Sequence, residues 1–352
     1  MRTPLRKQRR GPSFRIAAWA LFAVLALIVA ACSSSSPAQP TAAQNSSSGG
    51  SSSAPPALTL YTSVTQNTVD KVVAGFKAAH PGARVTVFRA TTGALNARIA
   101  ADRRTGGVRA DVIWGTDPLS MQAYAAQALL RDKPITSPPG IPTQYETGSL
   151  YPTRLLYVVI VARKGLSPPP ASWSDLTDPA YRGRVAIPDP AAAGSALAAL
   201  GYFAASPDYG MAYYQKLKAN GAVQVATVPE VVTDVAQGRY EAGITLDSEV
   251  RSAVAAGSPV QLVWPKPGPI ALYSPIAATS ASKHTAAADA FLGYVLSADG
   301  QKRIAATGWQ PVLPGIPGPP IPAGVTPVSA DWPTLFGEQK TLLRQYQALF
   351  GS

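Results

Sequence analysis

Cysteine occurs once in the 352 residues, at Cys32, so no disulfide can close within the chain and no cysteine-based zinc cluster can form. Histidine is almost as scarce. His80 and His284 are the only two, far apart, which argues against a histidine-rich metal site. Charged residues are 14% and apolar residues 46%, a balance that excludes a highly charged, disordered chain. Acidic residues are few, 19 against 31 basic, giving a formal charge of +12. Half of that excess comes from Arg2, Arg6, Lys7, Arg9, Arg10 and Arg15, in a stretch with no acid, so the rest has an ordinary surface and no nucleic-acid partner is expected. No GxxxxGK[ST] phosphate loop, HExxH helix or GxSxG elbow occurs. A hydrolase would have to use His80, at a helix end before Pro81, or His284, after Lys283 at a helix start. Both positions suit cap residues better than bases, so no catalytic role and no cofactor is expected.

The one long apolar run is at residues 16–31 (IAAWALFAVLALIVAA), behind the basic segment. A basic start, a short apolar stretch and small residues before a cleavage point make an export signal over residues 1–31. Sixteen residues are too few for the ~20 that a permanent spanning helix needs. Val29-Ala30-Ala31-Cys32 resembles the bacterial lipobox, which implies that Cys32 is acylated and becomes the new N-terminus. Arg9-Arg10 raises twin-arginine export, although the following GPSF suits that signal poorly. Residues 33–57 hold ten serines and little to bury, so residues 32–57 read as a lipidated cysteine with a flexible tether. The expected location is the extracytoplasmic face of the cell membrane, held by lipid.

From Leu58 onward, short apolar runs alternate with helical periodicity. LTLYT (58–62), RVTVF (84–88) and DVIW (111–114) read as strands. Helices follow them near Asn67, Thr92-Gly93 and over 118–130. LLYVVIVA (155–162) is apolar on both faces, as a buried central strand is. VAI (185–187), VQVAT (223–227), AGITL (242–246) and VQLVW (260–264) give a second strand–helix set, with helices within 194–219 and from Pro229 to Gln237. Helices return after Tyr273. Seven prolines over 311–327 predict an extended surface run, and Leu342, Leu343, Tyr346 and Leu349 mark a last amphipathic helix. The class is α/β, with parallel strands flanked by helices. The pattern fits either two consecutive units or one inserted into the other.

One local form recurs: a strand end, then Ser, Thr, Gly or Asp, then a helix. It appears in YTSVTQNT (61–68), RATTGAL (89–95), WGTDP (114–118), DPAAAGSA (189–196) and LDSE (246–249). Carboxyl ends of parallel strands are where ligands bind in open α/β sheets. Free N–H groups and the positive dipole end of each helix favour an anion there. The same residues are also good helix caps, so each motif alone has a purely local explanation.

Together, the lipobox, LTLYTS, RATTGAL, ADVIWGTDP, SWSDLTDPAYRGRVAIPDPAAAGSA, YYQKLKANG and GWQPVLPG resemble the iron/phosphonate branch of bacterial ABC-transporter solute-binding proteins. The resemblance spans Leu58 to Phe350. It implies a two-lobed periplasmic-binding-protein fold of type II, each lobe a mainly parallel sheet flanked by helices, joined by a two-crossover hinge. One lobe would combine 58–155 with 269–352 and the other would be 156–268. It also implies a single chain that captures a small anionic or zwitterionic solute and docks on a membrane permease. Ferric-iron binders of that branch carry a tandem tyrosine pair just after the strand equivalent to AGITL. Here that place holds Asp247-Ser248-Glu249, and the existing pair, Tyr213-Tyr214, lies in a helix where core packing is expected. The implied ligand is therefore a phosphonate such as 2-aminoethylphosphonate, or a phosphate ester, with iron held by non-standard ligands as the alternative. Thr91, Thr92 and Ser195 would grip phosphoryl oxygens, Ser63 and Tyr273 would be rim donors, and Thr116 and Ser248 would add hydroxyls. Asp117, Asp189, Asp247 and Glu249 are candidates to face an ammonium group, and Trp114 and Tyr151 could form an apolar wall.

Overall fold

The computed structural model describes residues 57–142, 145 and 148–351. The expected export signal, Cys32 and the tether as far as residue 56 lie outside the described residues, whereas Ala57, expected at the end of the tether, opens the first strand. The first strand–helix set is β1 (Ala57–Thr62), α1 (Gln66–Ala79), β2 (Arg84–Arg89), α2 (Thr92–Arg104), β3 (Val112–Trp114) and α3 (Pro118–Ala125). β1 lies between β2 and β3, parallel to both. α3 is shorter than the apolar pattern to residue 130 suggests. Leu129 N–H turns back to the Tyr124 carbonyl, with Ala128 at a φ of 54°, so the chain leaves the helix early.

β4 (Tyr151–Arg163), the longest of these strands, follows. The second set follows: β5 (Val185–Pro188), α4 (Gly194–Ala205), α5 (Ala212–Ala219), β6 (Val223–Val225), α6 (Val228–Ala236), β7 (Ala242–Leu246), α7 (Asp247–Ala255) and β8 (Val260–Val263). β5 lies between β6 and β7, parallel to both. β9 (Ile270–Ala278) returns to the first set, followed by α8 (Thr285–Leu296), α9 (Ala298–Ala305), β10 (Gln310–Pro311), α10 (Trp332–Leu335) and α11 (Gln339–Phe350). The sequence reading of parallel units is therefore right at both ends of the sheet, whose main path is β2-β1-β3-β9-β4-β7-β5-β6. The middle differs: β4 and β9 are antiparallel to each other and to the strands beside them.

This middle pair sets the geometry of everything else. The start of β4 is level with the carboxyl end of β3, since Trp114 pairs with Ile276 and Ile276 with Tyr151. Further along β4, Val158 pairs with Leu246, the last residue of β7. β3 points toward that second pairing site and β7 points back toward the first. The two parallel arrays thus present their carboxyl ends, and the helices that follow, to each other across residues 152–157 of β4. β4 and β9 are buried along nearly their whole length, which is why their sequences are apolar on both faces.

Edge-to-face aromatic pairs fix the flanking helices, as between Phe76 and Phe291 (centroids 5.1 Å) and between Trp173 and Phe203 (5.4 Å). Tyr213 stacks on Phe203 (4.2 Å), its hydroxyl donating to the Trp173 carbonyl (3.0 Å), and Tyr214 sits edge-on to Tyr346 (5.3 Å). The tandem tyrosines are thus core residues, as their helical setting implied. Burial raises the pKa of both phenols.

The proline-rich run carries no helix or strand over residues 312–327. It is clasped to the body through Gln301, a fully buried side chain. Its amide donates to the carbonyls of Thr153 (2.9 Å) and Val295 (3.0 Å), and its oxygen accepts from the N–H groups of Val312 (2.9 Å) and Leu313 (3.4 Å). Gln301→Leu keeps the bulk but strands these backbone groups without partners. Chemical denaturation should show a loss of about 2–4 kcal/mol, and an unchanged stability would mean that water replaces the amide at no cost.

Candidate ligand-binding cleft

A cavity of about 250 Å³ opens between the two arrays. Its rim is made of helix beginnings. α1 contributes its N-cap Thr65, α2 its N-cap Thr91 with Thr92, α4 the residues Ala193, Gly194 and Ser195, and α6 its N-cap Thr227 with Val228 and Pro229. Leu246 and Glu249 line it from the start of α7. Each helix start leaves backbone N–H groups unpaired, and its dipole favours an anion by about 0.3–1 kcal/mol. Five such starts on one cavity make a positive field without any charged side chain.

The floor adds charge. Arg154 and Leu156, two residues apart on β4, both line the cavity from the stretch between the arrays. Arg154 is fully buried, and its guanidinium lies over the Trp309 ring with Cζ 4.0 Å from the centroid. Its Nε, Nη1 and Nη2 atoms have no hydrogen-bond partner among the described residues. Burial pushes its pKa down to about 9, opposed by Glu249, so it is still a cation at neutral pH. Arg89 lines the cavity as well, held by a bond from its Nε to the Val64 carbonyl (2.8 Å). Burial raises the pKa of Glu249, while Arg154 and Arg89 lower it. Ala90, Ala192, Leu156, Leu246, Val228, Pro229 and Trp309 give the remaining wall an apolar character.

The hydroxyls form a linked row. Ser63 Oγ is 3.2 Å from Thr116 Oγ1, which is 3.2 Å from Thr92 Oγ1, and Thr92 Oγ1 accepts the Gly194 N–H (3.2 Å) from the other array. Beside it, Gly93 N–H donates to the Ala192 carbonyl (3.3 Å). These two bonds join the arrays directly, and both need glycine. A Cβ at Gly93 would lie 2.5 Å from the Ala191 carbonyl oxygen, and one at Gly194 would lie 2.2 Å from Asp117 Oδ2.

Of the residues singled out from sequence, Ser63, Thr91, Thr92, Thr116, Ser195 and Glu249 line the cavity. Asp117, Asp189, Asp247, Ser248 and Tyr273 do not. Asp117 is buried as the N-cap of α3, accepting from Ser120 N–H (2.7 Å). Asp189 closes its own turn by accepting from Ala191 N–H (2.8 Å). Asp247 is buried against Arg251 (2.5 Å), and Ser248 is buried beside it. Tyr273 is inside β9, its ring 5.5 Å from that of Tyr145. Trp114 and Tyr151 are core residues too, bonded to Thr153 Oγ1 (2.9 Å) and the Ile135 carbonyl (2.6 Å). The sequence reading missed Arg89, Arg154, Thr65, Thr227 and Trp309.

The profile of a family described as bacterial extracellular solute-binding protein matches residues 58–310. Comparison with curated proteins by sequence finds no match. Among solved structures, the periplasmic binding protein AfuA from Actinobacillus pleuropneumoniae, with exogenous fructose-6-phosphate bound, is similar at a TM-score of 0.74 and 18% identity, over 83% of this chain and 98% of that one. Iron-bound HitA from Pseudomonas aeruginosa gives 0.72 and 19%, over 84% and 99%. A ferric binding protein from Campylobacter jejuni gives 0.73 and 16%, over 83% and 99%. The fold is that of the type II periplasmic binding proteins.

An unpartnered buried cation is a cost to the folded state that an apolar side chain of similar size removes. Arg154→Met should therefore leave the thermal midpoint of the ligand-free protein unchanged or raise it. A large fall would show that the guanidinium has a structural partner.

Proposed function

The chain belongs to the bacterial extracellular solute-binding protein family, and we propose that its cleft captures a small phosphonate or phosphate ester for the membrane permease of an ABC importer. The observation that carries this reading is Arg154, a buried guanidinium with no bonded partner, set beneath five converging helix starts. A planar fork of donors matches two phosphoryl oxygens at once. The backbone N–H of Ser195, with the hydroxyls of Thr91, Thr92 and Ser63, would supply donors for the remaining oxygens. Among the described residues, Glu249 is the single carboxylate lining the cavity. It would face an ammonium group, so a zwitterion such as 2-aminoethylphosphonate would satisfy both signs, with its short carbon chain against Leu156, Val228 and Trp309.

The donor set suits ferric ion less well. Iron(III) wants several anionic oxygens, whereas among the described residues this cavity is lined by one carboxylate, two guanidiniums and no tyrosine. Neither His80 nor His284 lines it either. His80 caps α1, and His284 faces Asp111 (3.2 Å), which supports binding rather than turnover as the role.

Residues 58–155 with 269–352 would form one lobe and residues 156–268 the other, with β4 and β9 as the hinge crossings. Support comes from the register, since β4 pairs with β9 and β10 in its first part and with β7 and β8 in its last. A ligand touching both arrays would shift the population toward the closed form. The family works outside the cytoplasm; a lipid on Cys32 would tether one such chain within reach of its permease.

Titration calorimetry against 2-aminoethylphosphonate, phosphoethanolamine, fructose 6-phosphate, ferric citrate and amino acids tests the reading. Heat is expected with at least one phosphonate or phosphate ester, and Arg154→Met should weaken that binding by roughly 10- to 150-fold, the equivalent of one charge-assisted hydrogen bond. Silence with every phosphorus compound, or full affinity without the guanidinium, would refute it.

A further inference from the structure

Asp117 is a buried carboxyl group that solute capture, as derived above, does not use. Its Oδ1 caps α3 through Ser120 N–H (2.7 Å), while Oδ2 is buried without a hydrogen-bond partner. Oδ2 is not remote from the site. The Cβ position of Gly194 lies 2.2 Å from Asp117 Oδ2, 2.7 Å from Thr116 Oγ1 and 2.9 Å from Thr92 Oγ1. Gly194, Thr116 and Thr92 all line the cavity. One glycine backbone therefore separates this carboxyl oxygen from the space assigned to the anion.

We propose that Asp117 is a positioning residue whose carboxyl group must carry a proton for the α4 beginning to receive an anion, so that solute capture takes up a proton. An ionised Oδ2 there would be an unpartnered negative charge beside a second one in a water-poor wall, and both would oppose the closing of α4 onto α2. The neutral acid removes the repulsion.

The surroundings support this. α2 brings Thr92, α4 brings Gly194, and α3 brings Ser120 and the phenol of Tyr124. α11 brings Gln339, bonded to Ser120 Oγ (3.3 Å), and β9 carries apolar residues with Ser274 and Tyr273. The charged groups are on the cavity side of Gly194, namely Arg89, Arg154 and Glu249. Burial raises the Asp117 pKa to about 7, against the hydrogen bonds from Ser120 and Leu119 that lower it. A raised folded-state value means stability is fullest below the ordinary carboxylate range and is lost as pH climbs through 7. Anion affinity should follow the same direction, because linkage is reciprocal.

The inference rests on the anion reading of the cleft, and sulfate and inorganic phosphate are the probes that separate the two. Sulfate keeps its charge between pH 5.5 and 8.5, and comparing variants cancels the titration of phosphate. Wild-type protein should lose about tenfold in affinity for either anion from pH 5.5 to 8.5 beyond any loss in Asp117→Asn, which keeps the cap and cannot ionise. The thermal midpoint of the ligand-free wild type should also fall relative to Asp117→Asn over that range. Parallel affinity profiles in the two proteins overturn the role of Asp117 alone. No binding of either anion to either protein at any pH overturns the anion site, and this proposal with it.

Discussion

The antiparallel pairing of β4 with β9 is the constraint on which the rest depends. A parallel array puts all its carboxyl ends on one side, and with them the exposed N–H groups of the following helices. Two such arrays joined by a third parallel strand would point the same way. Three successive antiparallel pairings, β3 with β9, β9 with β4 and β4 with β7, turn the second array to face the first. The cleft is what lies between them, and its positive character follows from the backbone before any side chain is chosen.

Side chains then refine what the backbone begins. Arg154 sits where β4 crosses between the arrays, too deep to be hydrated and unpaired with any described residue, so it is a charge held in readiness. Its guanidinium lies over the Trp309 ring, and Leu156 and Val228 line the same cavity. Gly93 and Gly194 let α2 and α4 meet closely enough for backbone hydrogen bonds, which brings four of the lining hydroxyls, those of Thr91, Thr92, Thr116 and Ser195, to the same edge of the cavity. Under the proposed function, the unpaired cation finds its partner in a bound anion.

Most of the lining hydroxyls, though not Thr65 and Thr227, were legible because the signal is local. A Ser or Thr between a strand and a helix is a cap wherever it occurs, and in parallel arrays every such cap faces the cleft. The carboxylates misled for the same reason: Asp117 and Asp189 each spend Oδ1 on the turn that made them conspicuous, Asp117 Oδ2 staying unpartnered, and Asp247 is paired with Arg251, four residues along its own helix. Glu249, two residues further along the same helix, lines the cavity instead. Arg154 could not be found by periodicity, since the apolar run begins at Leu155 and an arginine just before it reads as a surface end. The hint was that Tyr151, Pro152 and Thr153 already continue the strand. Trp309, 155 residues away in sequence, needed the fold to bring it to Arg154. β4 and β9 were recognisable as buried strands, but their antiparallel sense is a tertiary outcome that composition does not carry.

The most direct measurement is a crystal structure of the protein grown with 2-aminoethylphosphonate or phosphoethanolamine. It should show a tetrahedral group within hydrogen-bond distance of the Arg154 guanidinium and of the N–H groups at the start of α4, with the amine toward Glu249. A cleft holding a metal ion, or a ligand bound while Arg154 still has no partner, would contradict the account.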